Sequence, residues 1–256
     1  MNFIKNRLSF KGFDPFSLNG NLYSVVINTE EGLLEGRYFE SLKENRQPKS
    51  VALVLHPDPK KNGSMNNKVV KSMFNAFAAL GFDVLRFNFR GVGKSKGKIS
   101  KDEDQNLKDA LKCMDWLISK HEEICNAWIA GFAFGGFIGM KAVMRRPDIT
   151  GFVLASPTAE TSSLNMLTPC PDGIVVAGGK DTFSEENHAY ELSKALLNQS
   201  NSEIELEYLP ESDHYFSNHE DLLRQKIESF VKKRIRTPSE IITVKRKRKK
   251  QSKSAE

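Results

Sequence analysis

Three positions, taken in chain order, could do chemistry together: 133, 181 and 214. Residues 127–139 read Ala-Trp-Ile-Ala-Gly-Phe-Ala-Phe-Gly-Gly-Phe-Ile-Gly. A short apolar run, a small-residue turn and an apolar helical stretch in succession are the setting of a G-x-S-x-G turn. Such a strained strand-to-helix corner lifts one side chain above a sheet. Gly131 and Gly135 stand where that turn leaves no room for a side chain, and the central position, the place of a nucleophile, is Ala133. Farther on, Asp181 follows Gly178-Gly179-Lys180 and His214 follows Asp213. In the order nucleophile, acid, histidine, the imidazole takes a proton from a hydroxyl while the carboxylate fixes its tautomer. Alanine offers no oxygen to deprotonate. Asp181 alone would read as a turn residue; its place ahead of His214 is what gives it a chemical reading.

The elements that must position these residues follow from hydrophobic periodicity. Residues 22–28 and 33–39 read as a hairpin around Glu31-Gly32. Residues 51–55, Val-Ala-Leu-Val-Leu, form a continuous apolar run, as in a strand covered on both faces. His56-Pro57-Asp58-Pro59 breaks it. Apolar residues at 69, 70, 73, 74, 77 and 80 predict a helix ended by Gly81. Residues 84–89 are the next strand, 106–120 a helix, and 127–130 with the following stretch a strand and helix. Strands at 152–155, 174–177 and 204–209 alternate with helices at 186–197 and 221–233. Alternation of this kind predicts an α/β fold, with a mostly parallel central sheet flanked by helices and antiparallel strands at its N-terminal side. In open sheets of this class ligands bind at the carboxyl ends of the strands, where residues 56–63, 133, 181 and 214 all fall. The expected organisation is one domain over 1–236 and a flexible basic extension over 237–256.

The totals restrict the function classes. A 39% hydrophobic share and 27% charged residues suit a globular protein with a sizeable core. No apolar run approaches the roughly 18–20 residues of a membrane span, and the first 13 residues lack the apolar core of a secretory signal. Cys113, Cys125 and Cys170 are odd in number and widely spaced, which favours buried thiols over disulfides or a metal site. A cytoplasmic location is expected, with no metal or organic cofactor. The net charge of +6 is uneven: residues 232–256 hold eleven Lys and Arg against two Glu, so the rest of the chain is net negative. The run from Lys245 to Lys250 is six consecutive cations, suited to weak, non-specific contact with nucleic acid or an anionic surface. Gly91-Val92-Gly93-Lys94-Ser95 imitates a phosphate-binding loop, but position 88 is Asn where that motif needs Gly.

Several motifs in order resemble a small bacterial α/β-hydrolase family. They are the His56-Pro57 loop with Met65-Asn66-Asn67-Lys68, the Arg-Phe-Asn-Phe-Arg-Gly-x-Gly segment at 86–93, and the turn at 130–135, where Ala133 replaces the family's Ser. Met144-Arg145-Arg146-Pro147, Pro169-Cys170-Pro171, Gly179-Lys180-Asp181 and Asp213-His214-Tyr215-Phe216 continue it, over roughly residues 22–233. The resemblance implies an α/β-hydrolase fold and an ester or acyl site. Asp181 would be its orienting acid and His214 its base, with the Phe134 and Asp58 backbone amides as oxyanion donors. Phe132 and Ser156 are expected to line the pocket, and His56 either to line it or to bond its own loop backbone. The chain departs from the family at Ala133 and at Asp58, where a second histidine is usual.

Without a nucleophile, turnover in a triad enzyme falls by about a million-fold, and the rest of the site retains about 10³ over water. Ser156 and Ser64 lie on loops that could approach the site, but neither sits on such a turn. The expected function is therefore a catalytically silent hydrolase relative that binds a small ester or acyl ligand or a partner. Two alternatives stand beside it: an active serine hydrolase carrying an engineered Ser-to-Ala change at 133, and a scaffold tethered by its basic tail.

Overall fold

The computed structural model describes residues 18–42, 49–100, 102–162, 164, 170–183, 188–197 and 202–235. The extension at 237–256, with Lys245–Lys250, lies outside them. An antiparallel hairpin, β1 (Gly20–Thr29) and β2 (Gly32–Ser41), opens the fold. Then come β3 (Lys49–Leu55), α1 (Lys68–Ala79), β4 (Asp83–Phe87), α2 (Glu103–Ile118), β5 (Ile124–Phe132) and α3 (Phe134–Arg145). After these come β6 (Gly151–Ala155), the single turn α4 (Ala159–Ser162), β7 (Asp172–Gly178), α5 (His188–Leu197), β8 (Ile204–Leu209) and α6 (Glu220–Lys232). They build one sheet in the order β1-β2-β4-β3-β5-β6-β7-β8, parallel from β4 to β8 and antiparallel at β1 and β2.

Alternation along β3 shows how the sheet is covered. Leu53 and Leu55 join the cluster packed under α2 and α3, while Ala52 and Val54 join Phe77, Trp128 and Phe230 under α1 and α6. Strands apolar on both faces are what a sheet sandwiched between helices requires. Helices α1 and α2 start on side-chain caps: Asn67 Oδ1 accepts from the Val69 amide at 2.8 Å, and Asp102 Oδ1 from the Asp104 amide at 2.9 Å. Gly81, at φ +88°, ends α1 where a side chain would be strained. Among the described residues no helix is long and apolar enough to cross a membrane, and Cys113, Cys125 and Cys170 are buried and form no disulfide.

One residue that polar surroundings mark as surface is not there. The His121 side chain is 8% exposed, with Nε2 3.2 Å from Asp83 Oδ2. The hydrogen bonds to that buried carboxylate come from the Tyr38 hydroxyl at 3.0 Å and the Ser41 amide at 2.8 Å. An internal acid needs such donors, and the end of α2 folds His121 onto it.

Candidate active site

The turn between β5 and α3 is fixed by its glycines. A Cβ on Gly131 would lie 2.3 Å from the Gly135 carbonyl, and one on Gly135 would lie 2.5 Å from the Leu55 carbonyl oxygen. Helix α3 therefore starts in direct contact with the ends of β5 and β3. The price is taken at Ala133, held at φ +48°, ψ −115°, a region that costs a non-glycine residue about 1–3 kcal/mol. Its amide donates to the Ala155 carbonyl at 3.0 Å. Phe134, as first residue of α3, presents an amide with no acceptor inside the helix, at the positive end of the helix dipole.

The loops after β7 and β8 bring Asp181 and His214 together. His214 Nδ1–H donates to Asp181 Oδ2 at 2.8 Å; a carboxylate can only accept, so the proton sits on Nδ1 and Nε2 is left as the base. Both side chains are largely covered, at 5% exposure for the carboxylate and 11% for the imidazole. The His214 loop is tied by its own hydrogen bonds. Asp213 accepts from the Ser217 amide at 2.8 Å and the Tyr215 amide at 3.0 Å, and the Ser217 bond first of all holds its carboxyl below the usual range. Phe216 is fully buried at φ +52°.

Phe132 and Ser156 are buried, and His56 bonds its own loop backbone, the second of its two expected roles. His56 is 0% exposed: Nδ1–H donates to the Pro57 carbonyl at 2.6 Å, and Nε2 accepts from the Phe89 amide at 3.0 Å. Burial pushes it down to about 4, so the ring is neutral and pins the end of β3 to the segment after β4. The Ser156 hydroxyl, 1% exposed, donates to the His214 carbonyl at 2.9 Å, which takes it out of contention as a nucleophile. Phe132 is fully buried, its ring 5.2 Å from the His214 ring. Asp58 keeps its place in the loop after β3. Its carboxylate accepts from the Lys60 amide at 2.9 Å, so the side chain shapes the turn and the backbone amide is what it can offer a ligand.

Two aromatic residues that the sequence reading passes over complete the surroundings of the imidazole. Phe183 and Tyr215 are both exposed, with rings 5.2 Å and 5.0 Å from that of His214. Adjacency to Asp181 and His214 was their only signal. A separate cavity of about 310 Å³ between the β1–β2 turn and residues 96–100 contains none of these groups. Its arginine, Arg90, is already engaged by Asp109 at 2.7 and 3.0 Å and by Gln105 at 2.8 Å.

A carboxylate-oriented imidazole, a helix N-terminus and a strained turn at the carboxyl ends of parallel strands can together accept a proton and stabilise a developing oxyanion. Comparisons with known proteins agree with this architecture. The family described as serine aminopeptidase S33 matches residues 65–173. An uncharacterized protein of Rickettsia prowazekii is 37% identical over 213 residues, covering 81% of this chain and 85% of that protein. A protein of unknown function from Agrobacterium tumefaciens, proposed to be an α/β hydrolase, superposes with a TM-score of 0.75 at 35% identity, covering 82% of this chain and 95% of that one. A lidless α/β serine hydrolase from Xanthomonas campestris gives 0.71 at 26% identity, covering 85% and 97%. The chain belongs to the α/β-hydrolase family.

Proposed function

We propose that this chain is a catalytically silent α/β hydrolase that binds a small ester or acyl ligand through a site lacking its nucleophile. The observation that carries the reading is Ala133 itself. It occupies the strained corner after β5, at the start of α3, while the Asp181–His214 pair is in place. Ser at this corner would be the group that His214 activates; Ala keeps the Cβ and removes only the oxygen. With no hydroxyl, the site holds the carbonyl of a ligand against the Phe134 and Asp58 amides without forming an acyl intermediate. The buried Ser156 hydroxyl, committed to the His214 carbonyl, supports the view that no nearby serine substitutes.

The test is Ala133→Ser. The variant is expected to label with a fluorophosphonate probe and to hydrolyse a short-chain aryl ester at least about 10³-fold faster than the native chain. Native protein labelling as readily as the variant would refute silence; a folded variant that neither labels nor hydrolyses would refute a retained site.

A further inference from the structure

A second place in the fold gathers charge without compensating it. Arg37 on β2 and Arg86 on β4 are direct cross-strand partners. Side chains opposite one another in an antiparallel pair have Cβ atoms about 5 Å apart, where like charges destabilise. Lys71 of α1 lies in the same field: burial, with the charge of Arg37 added, pulls Arg86 down to about 10, and burial, with the charge of Arg86 added, lowers Lys71. Arg86 is only 9% exposed and packs over the Phe74 ring at 5.3 Å.

A buried guanidinium ordinarily sits against a carboxylate, because an uncompensated internal charge costs several kcal/mol. Here none serves. Among the described residues no Asp or Glu pairs with Arg37, Lys71 or Arg86. The nearby acids are engaged elsewhere. Glu35 accepts from Asn88 Nδ2 and the Lys94 amide at 2.9 Å each, and Glu40 accepts from the Tyr23 hydroxyl at 2.9 Å. Lys68, one turn before Lys71, has Glu220 at 3.8 Å. The neutral partners are few: Arg86 Nη1 donates to the Met65 carbonyl and to Asn66 Oδ1, and Arg37 Nη1 to Ser24 Oγ. Arg86 Nε is buried with no hydrogen-bond partner at all.

We infer that Arg37, Lys71 and Arg86 form an anion site, outside the candidate active site, for a compact multivalent oxyanion of the phosphoryl class. Three cations in one corner match a dianion better than a single carboxylate. The planar fork of Arg86 offers its unpartnered Nε edge for the paired hydrogen bonds that phosphate oxygens accept. Arg86 also fastens the Met65 carbonyl, so an anion held there secures the far end of the loop that begins at His56 and carries Asp58.

The full chain is melted in phosphate-free buffer, then with millimolar inorganic phosphate or glycerol phosphate, with chloride holding the ionic strength constant. At about ten times the half-saturating concentration, Tm rises by about 3 °C with at least one of the two phosphates. The arm that saturates at the lower concentration identifies the source. Arg37→Gln and Lys71→Gln, on half-buried side chains that hold no loop backbone, lose most of that rise, as does Arg86→Lys. No rise in either arm overturns the site, and so does an equal rise in Arg37→Gln and Lys71→Gln.

Discussion

His56 makes the fold's stability depend on pH in a way that can be measured. Its imidazole is neutral because Phe89's amide donates to Nε2 while Nδ1–H is spent on the Pro57 carbonyl, at zero exposure. Its folded value of about 4 lies below the ordinary 6.5, so as pH falls the unfolded chain takes up a proton before the folded one does. The contribution is complete above about pH 6.5 and is lost progressively as pH falls towards about 4. Between about pH 7.5 and pH 4.5 that linkage is worth ~2.5 kcal/mol, or about 1 M in the urea midpoint for a slope of about 2.5 kcal/mol/M. Other groups titrate in the same range, so the informative quantity is a difference. His56→Gln, which cannot titrate, is less stable than the native chain at neutral pH, and it loses about 2.5 kcal/mol less on acidification. Urea melts at the two pH values supply that difference, and an NMR titration of the His56 ring proton shows it unprotonated at about pH 5. Identical pH dependence in the two proteins, or a His56 ring that titrates near 6.5, would falsify the assignment of His56 as a buried neutral pin.

Two further perturbations probe the framework. Gly135→Ala drives a methyl to 2.5 Å from the Leu55 carbonyl oxygen, an unyielding backbone atom, and should cost more than ~3 kcal/mol in a denaturant melt; a loss below about 1 kcal/mol would show that α3 can back away from β3. Arg90→Met leaves Asp109, 1% exposed, without its two-point partner and should cost roughly 3–5 kcal/mol, whereas Arg90→Met with Asp109→Leu recovers much of it.

How far the sequence reveals the fold depends on whether local pattern or distant pairing makes the decision. Strands such as β3 and β7 are apolar on both faces, and α1 carries its stripe and both end signals, so their positions are readable one element at a time. Asp181 and His214 are readable because each follows a strand at the same edge of the sheet. The direction of a side chain in a loop is not. Ser156 turns to a carbonyl 58 positions away, and His56 is sealed by an amide 33 positions away. Those contacts exist only once β4, β6 and β8 are placed. The pairing of Arg37 with Arg86 depends likewise on β2 lying beside β4 rather than β3, and nothing local to either arginine announces it.

The corner at Ala133 owes its shape to neighbours rather than to its own side chain. The two glycines, the Ala155 carbonyl and the packed start of α3 hold the backbone at φ +48°. Backbone and chemistry are thus separable there: the position is a socket whose contents can be exchanged without rebuilding its walls. Serine, cysteine or aspartate placed on the same Cβ would start from the same place, above the same helix terminus. A corner built this way keeps its geometry whichever small side chain it carries.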